Sequence, residues 1–440
     1  MPKKPLLSEF PVAFFRLRAY NDGAMENLFD DLMYRGLIEQ SSDAEGVKKL
    51  LETKQAVYCG FDPSASSMHL GNFVMISLLK RFQRAGHKVI AVVGGATGMI
   101  GDPSGKSSER NLQTKETLAS NTASIKAQLE RYIDLTDPEK GEIVSNYDWL
   151  GSMTVIDFLR DYGKFFPINY MLSKEIVKSR LEAGISFTEF SYQILQSIDF
   201  YHLHKAKGVS IQLGGNDQWG NLTSGLELIR KIEGDEANVE VLTSRLILRS
   251  DGKKFGKSEK GALFLDPKLT SPYAMYQYFM NVTDEDAIRF LKVFSFLPKE
   301  EIEDVAREHF ASPGARIGQK KVAYEITKDI FGEAGAKEAI SMSEALFSGN
   351  VASLSEPEIE TLFGDMKKPL QGEMMLEDLL IALGAASSKR EARTYAEGNG
   401  VLVNGIKATD PKEVFSASKA LYGKYLIVRR GKKNYYLGQF

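Results

Sequence analysis

The segment from Ala56 to Val93 constrains the fold more than any other part of the chain. Its pattern indicates a buried strand over 56–61, a helix from His69 to about Ala85 and a second strand over 88–93. Short turns join the three elements, and such a unit forms a right-handed crossover between parallel strands. The sequence therefore predicts an α/β fold built on a Rossmann-like parallel sheet.

Two loops follow the carboxyl ends of these strands, where open parallel sheets bind their ligands. The first, over 62–72, leads into a helix start whose unpaired backbone N–H groups and dipole favour phosphate. The second, over 94–106, is rich in glycine, but Ile100 occupies the position where a P-loop requires glycine, and the dinucleotide-binding spacing also fails. The two loops predict one nucleotide pocket that uses neither familiar phosphate motif.

Composition limits the other possibilities. The chain has 440 residues, of which 43% are hydrophobic and 26% charged, as in an ordinary globular protein of two or three domains. A net charge of −2 means that any RNA contact requires a local basic patch. The single cysteine, Cys59, excludes an internal disulfide framework and a cysteine-based metal cluster. No apolar run approaches the roughly 18 residues of a membrane span, so the cytoplasm is the expected location.

Changes of composition along the chain predict its domain boundaries. Residues 26–40 have helical spacing, residues 354–372 contain the charge and proline breaks of a linker, and from Glu373 two helical pieces lead into a hairpin signal. The N-terminal residues suit a dispensable extension, with a weak organellar presequence as the alternative. The predicted segments are an N-terminal extension over 1–25, the parallel-sheet domain over 26–250, a helix-rich region over 251–353, the linker over 354–372 and a small α+β domain over 373–440.

The C-terminal part of the chain is its basic region. Residues 371–440 contain 11 Lys and Arg against 7 Asp and Glu, a net charge of +4. Tyr395, Tyr435 and Tyr436 are available there for stacking on bases. This domain is therefore predicted to bind RNA, although a small basic α+β domain can also bind protein.

Five sequence blocks follow one another in a fixed order. The first is His69-Leu70-Gly71-Asn72, and the last is Lys254-Phe255-Gly256-Lys257-Ser258. The three blocks between them are 101–106, the set Tyr192, Gln196 and Asp199, and 212–221. In this order, over about residues 26–440, the blocks resemble those of bacterial-type tyrosyl-tRNA synthetases, a class I aminoacyl-tRNA synthetase family. The outer two are similar to the two class I signatures.

The resemblance implies a reaction and its substrates. ATP would activate L-tyrosine to tyrosyl-adenylate with release of pyrophosphate, and the tyrosyl group would then pass to the 3′ end of tRNA(Tyr) in protein synthesis. Attack of the substrate carboxylate on the α-phosphate needs no protein nucleophile, so positioning and charge stabilisation suffice. The resemblance further implies a homodimer, Mg2+ that accompanies ATP without a protein metal site, an anticodon-binding role for 251–353 and an S4-like RNA-binding module over 373–440.

The same resemblance implies roles for individual residues. Contacts to the developing pyrophosphate charge are implied for Ser64, His69, Lys106, Arg110, Lys254 and Lys257. Tyrosine binding is implied for Tyr58, Asp102, Tyr192, Gln196, Asp199 and Gln218. ATP binding is implied for Cys59, Gly60, Asp62, Gly71, Asn72, Asp217, Lys254, Lys257 and Ser258. RNA binding in the S4-like module is implied for Lys389, Arg390 and Arg393.

The phenol pocket also follows from residue types. Tyr58 as donor and Asp199 as acceptor can both bond a substrate hydroxyl, and phenylalanine would leave a buried carboxylate unpaired. Tyr192, Gln196 and Asp199 are spaced i, i+4 and i+7, so they share one helix face. Alone, that face can also be a satisfied core network.

One residue departs from the family pattern. Asn72 replaces the second histidine of the usual first signature, and because its amide still donates to a sugar oxygen, ATP binding is expected to persist. Alone, His69 is more often a helix cap than a catalytic residue. Two other function classes compete: an RNA-binding or RNA-chaperone protein that keeps this scaffold with reduced catalysis, and a nucleotidyltransferase acting on another amino acid.

Overall fold

The computed structural model describes residues 28–104, 112–174, 177–178, 184–251, 255–258, 261–431 and 434–440. These residues divide into two units. The first comprises 28–248 with 255–256, and the second comprises 249–251 with the described residues from 257 onward. Within the described ranges, no helix combines the length and the apolar character needed to cross a membrane.

A six-stranded sheet forms the centre of the first unit. Its strands are β1 Ile38–Ser41, β2 Ala56–Phe61, β3 Lys88–Val93, β4 Gly141–Ser145, β5 Val209–Gly215 and β6 Glu240–Ser244. Their order across the sheet is β1-β6-β5-β2-β3-β4, and every neighbouring pair is parallel except β1 with β6. The predicted parallel sheet is confirmed, with one antiparallel strand at its edge.

The described residues of the first unit also contain helices. They are α1 Leu28–Tyr34, α2 Ala44–Leu51, α3 Leu70–Arg84, α4 Thr97–Ile100, α5 Lys115–Leu129, α6 Tyr147–Leu150, α7 Val155–Asp157, α8 Ile168–Ser173, α9 Phe187–Lys207 and α10 Trp219–Glu233. Phe200 of α9 and Leu222 of α10 pack in one buried cluster with Tyr58 and Ile90 of the sheet. The Ser186 hydroxyl caps the start of α9, and Gly208 ends it in the left-handed conformation. Helices α9 and α10 therefore hold the sheet whose strands β2 and β3 end at the two predicted loops.

The helix predicted over 26–40 is wrong in its second half. Helix α1 ends at Tyr34, and Gly36 adopts a φ of +68°. This left-handed residue turns the chain into β1, whose Ile38 pairs with Ser244 at the edge of the sheet.

The second unit is rich in helices between Pro272 and Ser348, as the sequence predicts. Its helices are α11 Pro272–Met280, α12 Asp284–Phe294, α13 Lys299–Ala311, α14 Ile317–Ser348, α15 Glu356–Phe363, α16 Leu376–Ala382 and α17 Lys389–Glu397. Both α11 and α12 pack against α14, which bends at Gly332 where φ is +85°. Nearer the C-terminus, the helices accompany a second sheet.

The strands of the second unit are short. They are β7 Lys257–Ser258, β8 Gly261–Ala262, β9 Lys367–Pro369, β10 Met374–Met375, β11 Val401–Val403, β12 Ile406–Lys407, β13 Val414–Phe415, β14 Tyr425–Arg430 and β15 Asn434–Gln439. Five of them form a sheet in the order β12-β11-β14-β15-β9, in which β9 is parallel to β15 and the other pairs are antiparallel.

The linker predicted over 354–372 is wrong. These residues form α15 and the edge strand β9, and Ile359 and Phe363 are buried in one cluster with Tyr425 and Ile427. The proline that suggested a break stands in the first turn of α15, where its missing N–H costs nothing. Ser355 and Glu358 form a capping box around that turn, so the polar residues start a helix.

We predict that His87 makes the fold sensitive to acid. Its side chain is 1% exposed, and its Nδ1 accepts the Gln55 N–H at 3.1 Å. Burial lowers the pKa of His87 from 6.5 to about 4. The unfolded chain therefore binds the proton first, and stability is lost as the pH falls from 6.5 towards 4, by about 2 to 3 kcal/mol at pH 4.5.

Urea unfolding at pH 7.5 and pH 4.5 checks this. His87→Asn keeps an acceptor for the Gln55 N–H but does not titrate, so the loss of stability between the two pH values should be smaller in the variant by that amount. Equal losses in the two proteins would show that His87 does not carry the effect.

Candidate active site

Tyr58 is a buried residue of the predicted tyrosine site. It lies in β2 between Ile90 and Gln212 of the neighbouring strands, is 2% exposed, and its ring centroid lies 5.6 Å from that of Phe200. Its hydroxyl is buried and has no hydrogen-bond partner in the part of the chain that the structure describes. A buried hydroxyl left unpaired is costly, so a polar group of a ligand is the expected partner.

The Asp199 carboxylate on α9 is buried as well. Asn146 Nδ2 donates to Asp199 Oδ2 at 2.9 Å, and Trp149 Nε1 donates to Asp199 Oδ1 at 2.7 Å. Burial raises the pKa of Asp199 to about 7, with a further contribution from the charge of Asp62, while the bonds from Asn146 and Trp149 act in the opposite direction. Burial, and after it the Asp199 charge, also raises the pKa of Tyr58 well above its usual value.

A chain of hydrogen bonds connects this carboxylate to the first loop. Asn146 Nδ2 also contacts Thr97 Oγ1 at 2.9 Å, and the Thr97 hydroxyl donates to Asp62 Oδ1 at 2.7 Å. The Tyr192 hydroxyl donates to Asp62 Oδ2 at 2.8 Å. Two neutral side chains, Asn146 and Thr97, therefore hold the predicted tyrosine residue Asp199 and the predicted ATP residue Asp62 in one network.

A second network surrounds Asp102. Its carboxylate accepts hydrogen bonds from Gln218 Nε2, from the Ser104 N–H at 3.0 Å and from Asn221 Nδ2 at 3.5 Å. Asn221 also donates to Gln218 Oε1 at 3.1 Å. The structure thus brings Asp102 and Gln218 together, as the predicted tyrosine site requires. The third member of the predicted helix face, Gln196, has a buried Oε1 without a partner among the described residues.

His69 caps helix α3. Its Nδ1 accepts the Asn72 N–H at 3.3 Å, and Asn72 Oδ1 accepts the His69 N–H at 3.0 Å. This reciprocal pair is a capping box, so the interpretation of His69 as a cap is correct. It is compatible with a catalytic role, because an accepting Nδ1 places the proton of the neutral ring on Nε2, where it can be donated. Asn72 uses its oxygen in the cap and keeps its –NH2 group as a donor.

The two predicted loops share one cleft. Asp62 and Ser64 line it from the first loop, and Gly98 and Gly101 line it from the second. Ser64 is exposed, whereas Cys59 is 2% exposed, and burial raises the pKa of its thiol to about 12. Cys59 therefore presents a neutral thiol.

The remaining predicted residues differ in what the structure describes. Gly60 and Gly71 lie in β2 and in the first turn of α3, and Asp217 lies in the turn after β5. Lys257 is exposed and belongs to the second unit. Outside the described residues lie Lys106, Arg110, Lys254 and the side chain of Ser258. Gly256 has a φ of +72°, and an added Cβ would lie 3.3 Å from Leu70 Cβ, so glycine suits this close approach.

The predicted RNA-binding residues are not equivalent. Lys389 Nζ lies 3.1 Å from the Glu377 carboxylate and 2.7 Å from that of Asp378, and Arg393 Nε lies 2.6 Å from Glu377. Hydrogen bonds from Arg393 and then Lys389 lower the pKa of Glu377 to about 2. Arg390 has no hydrogen bond or ion pair from its side chain in the described part of the chain. Two of the three cations therefore tie α17 to α16.

Sequence reasoning missed four residues of the networks. They are Thr97, Asn146, Trp149 and Asn221. Asn146 and Trp149 follow the carboxyl end of β4, and the two ligand loops were predicted at the same position after β2 and β3. The strand-end rule, applied to a third strand, would have found them.

Comparisons with known proteins agree with this geometry. A family model described as tRNA synthetases class I (W and Y) matches residues 50–348. A second, the SYY-like C-terminal domain of tyrosine–tRNA ligase, matches residues 358–438, so it begins inside the segment that was predicted as a linker.

Individual proteins are similar over nearly the whole chain. The tyrosine–tRNA ligase of Bacillus caldotenax is 49% identical over 415 residues, which are 93% of this chain and 99% of that protein. The tyrosine–tRNA ligase of Listeria monocytogenes serovar 1/2a is 47% identical over 414 residues, again 93% of this chain and 99% of that protein. A C-terminally truncated mitochondrial tyrosyl-tRNA synthetase of Aspergillus nidulans superposes with a TM-score of 0.66 at 29% identity, covering 74% of this chain and 97% of that chain.

Proposed function

Because the chain belongs to the bacterial-type tyrosyl-tRNA synthetases of class I, we propose that the pocket formed by β2, β5 and α9 binds tyrosine and that the loop over 62–72 binds ATP. The chain catalyses the ligation of tyrosine to tRNA with ATP as a substrate. The observation that carries the residue assignment is the buried Tyr58 hydroxyl, which has no hydrogen-bond partner among the described residues, together with the buried Asp199 carboxylate, whose charge acts after burial to raise the pKa of Tyr58. A phenol is the ligand that suits this pair.

In the proposed complex, the substrate hydroxyl donates to Asp199 and accepts from Tyr58. The substrate ammonium lies by Tyr192, by the unpaired Gln196 Oε1 and by the Asp102 carboxylate, and Gln218 lies near the substrate carboxylate. Phenylalanine would fill the same space but leave the Tyr58 hydroxyl and the Asp199 carboxylate without their partner. Rejection of phenylalanine therefore follows from unpaired buried polar groups.

The activation step needs positioning more than covalent chemistry. A carboxylate oxygen of tyrosine attacks the α-phosphorus of ATP, and the bond to pyrophosphate breaks. Charge that develops on the pyrophosphate is proposed to be met by Ser64 and by Nε2 of His69, and by the cations Lys106, Arg110, Lys254 and Lys257. The proposed surroundings of the ribose and adenine are Cys59, Gly60, Asp62, Gly71, Asn72, Asp217 and Ser258.

Mg2+ is proposed to arrive with ATP. Among the described residues, no group of three or more His, Cys, Asp or Glu side chains is arranged to hold a metal ion. Mg2+ is commonly bound through substrate phosphates with few protein ligands. In the proposed complex, the phosphates of ATP supply most of its ligands. The ion would neutralise phosphate charge, while the protein residues orient the reacting groups.

The domain roles are proposed from the same family relationship. Residues 26–250 form the catalytic domain, 251–353 carry the second signature and bind the anticodon, and the S4-like module contacts RNA, with its start moved to about residue 358. Translation in the cytoplasm is the proposed setting. Residues 1–25 are proposed to be dispensable for the reaction.

We also propose that the protein is a homodimer. Five large apolar side chains within 155–187 are between 52% and 71% exposed: Val155, Ile156, Leu159, Ile168 and Phe187. The same stretch of chain contributes Phe158 and Met171 to one cluster, which also contains Ile194 of α9. A concentration of exposed apolar side chains of this kind marks an interaction surface, and a second copy is the proposed occupant.

The pocket assignment is tested with Asp199→Asn. Asparagine keeps the shape and one acceptor oxygen but removes the charge that bonds the substrate hydroxyl. We expect kcat/KM for tyrosine in ATP–pyrophosphate exchange to fall by about 10- to 100-fold, the cost of one charged hydrogen bond, with KM for ATP unchanged. Phenylalanine should gain relative to tyrosine, and an unchanged ratio between the two amino acids would contradict the assignment.

The dimer interface is tested with Phe187→Asp. A carboxylate placed at the centre of an apolar interface must be desolvated, so the variant should sediment as a monomer at micromolar concentration while the parent has twice the mass of one chain. Phe347→Asp is the matched control, because Phe347 is 95% exposed in the second unit and lies outside the proposed surface. Dimeric Phe187→Asp protein would refute this interface.

The RNA contact is tested with Arg390→Gln against Arg393→Gln. Each variant removes one positive charge from α17, but only Arg393 is paired with Glu377. Loss of a phosphate contact at Arg390 should weaken tRNA binding and reduce the slope of log affinity against log salt by about 1, without changing pyrophosphate exchange. Arg393→Gln should instead lower the thermal midpoint of the C-terminal module. An unchanged salt slope for Arg390→Gln would remove it from the interface.

A further inference from the structure

His202 lies flat on the indole of Trp149. The two ring centroids are 4.5 Å apart, and the ring planes differ by 13°. Trp149 stands on α6, whereas His202 stands on α9, three residues after Asp199. The imidazole therefore covers a face of the ring whose N–H holds Asp199 Oδ1 at 2.7 Å.

The other histidine of this helix segment has different surroundings. His204 Nδ1 lies 2.7 Å from the Val209 carbonyl oxygen, and His204 Nε2 lies 3.3 Å from Glu233. Two positions apart on a helix, the two side chains point in different directions. Burial, and after it the charge of Lys207, lowers the pKa of His202, which favours the neutral ring in the stack. His204 is a natural control for His202.

The two donors to Asp199 are supported in different ways. The Nδ2 group of Asn146 also donates to Thr97 Oγ1 at 2.9 Å, and Asn146 Oδ1 accepts the Ala96 N–H at 2.8 Å. The Trp149 indole is partly buried against the cluster that contains Tyr58, and His202 covers its flat face. A hydrogen bond of 2.7 Å weakens steeply when its angle opens, so the direction of the indole N–H depends on what prevents the ring from rotating.

We propose that His202 is a positioning residue for tyrosine recognition: by stacking on Trp149, it fixes the N–H that orients the Asp199 carboxylate towards the substrate hydroxyl. This inference rests on the proposed role of Asp199 in binding that hydroxyl. His202 touches neither substrate in the proposed complex, and its effect passes through Trp149 and Asp199. In this proposal, the specificity for the phenol depends on the His202 imidazole, which lies one helical turn after the Asp199 carboxylate on α9.

The test uses three substitutions of His202 with His204→Ala as the control. His202→Ala removes the stack, His202→Leu keeps volume without a flat ring, and His202→Phe keeps a flat ring. Pyrophosphate exchange gives KM for tyrosine, KM for ATP and the ratio of kcat/KM between tyrosine and phenylalanine. Because an aromatic stack contributes an effect of about two- to tenfold, KM for tyrosine should rise and the ratio should fall by that factor in the Ala and Leu variants.

His202→Phe should restore both values to within about twofold of the parent, as an aromatic stack is recovered. KM for ATP should not move in any variant, and His204→Ala should behave as the parent. A merely structural role of His202 would change the two KM values together and would let Leu substitute for Phe, and either result overturns the proposal. Asp199→Asn is measured in parallel. If Asp199→Asn leaves KM for tyrosine unchanged, the proposed tyrosine site itself is wrong. If Asp199→Asn raises KM for tyrosine but the His202 variants behave as the parent, only the role of His202 is wrong.

Discussion

The burial of the Asp199 carboxylate is the constraint on which the rest of the catalytic unit depends. A carboxylate taken out of water must be compensated, and here the compensation comes from neutral donors, Asn146 and Trp149, at 2.9 and 2.7 Å. Both donors come from the segment after β4, so that segment must meet α9 for the site to exist. Burial still raises the pKa of Asp199 to about 7, while these two hydrogen bonds act in the opposite direction. In the proposed complex a ligand hydroxyl adds a further hydrogen bond, so stability of the ligand-free site and affinity for a phenol are opposing demands.

The network beyond Asp199 connects the proposed tyrosine site to the loop that is proposed to bind ATP. Asn146 and Thr97 transmit the position of Asp199 to Asp62, which begins the loop that leads into α3. The same loop contains Ser64 and reaches the capping box of His69 and Asn72. The proposed phenol site and the proposed phosphate site therefore share one run of backbone from β2 to α3. A displacement of the α-phosphate relative to the tyrosine carboxylate would require this run to deform.

The sequence predicts the elements of this arrangement better than the contacts between them. The spacing of apolar residues and the positions of the strand ends were enough to predict the parallel sheet and the two loops. Helical spacing was enough to predict that Tyr192, Gln196 and Asp199 share one helix face. Pairing of Trp149 with Asp199 joins residues 50 positions apart and depends on how α6 packs on α9, which periodicity does not encode. The prediction of a linker over 354–372 was wrong for a different reason. A proline such as Pro357 can stand either in a chain break or in the first turn of a helix, and only the capping pair of Ser355 and Glu358 identifies the helix. Composition likewise counted Lys389 and Arg393 as free cations, although Glu377 and Asp378 pair with them.

Charge is distributed unevenly between the two halves of the proposed site. In the described part of the chain, the hydrogen-bond donors to Asp102 and Asp199 are all neutral, namely amides, an indole and a backbone N–H. A basic side chain at Asp199 would pair with that carboxylate before tyrosine arrived and would weaken the proposed penalty against phenylalanine. At Asp102, the neutral donors leave the negative charge of the carboxylate for the proposed contact with the substrate ammonium. The cations proposed to meet polyphosphate charge, Lys106, Arg110, Lys254 and Lys257, lie elsewhere in the sequence. The proposed selection of the amino acid and the proposed stabilisation of the leaving group thus require opposite electrostatics.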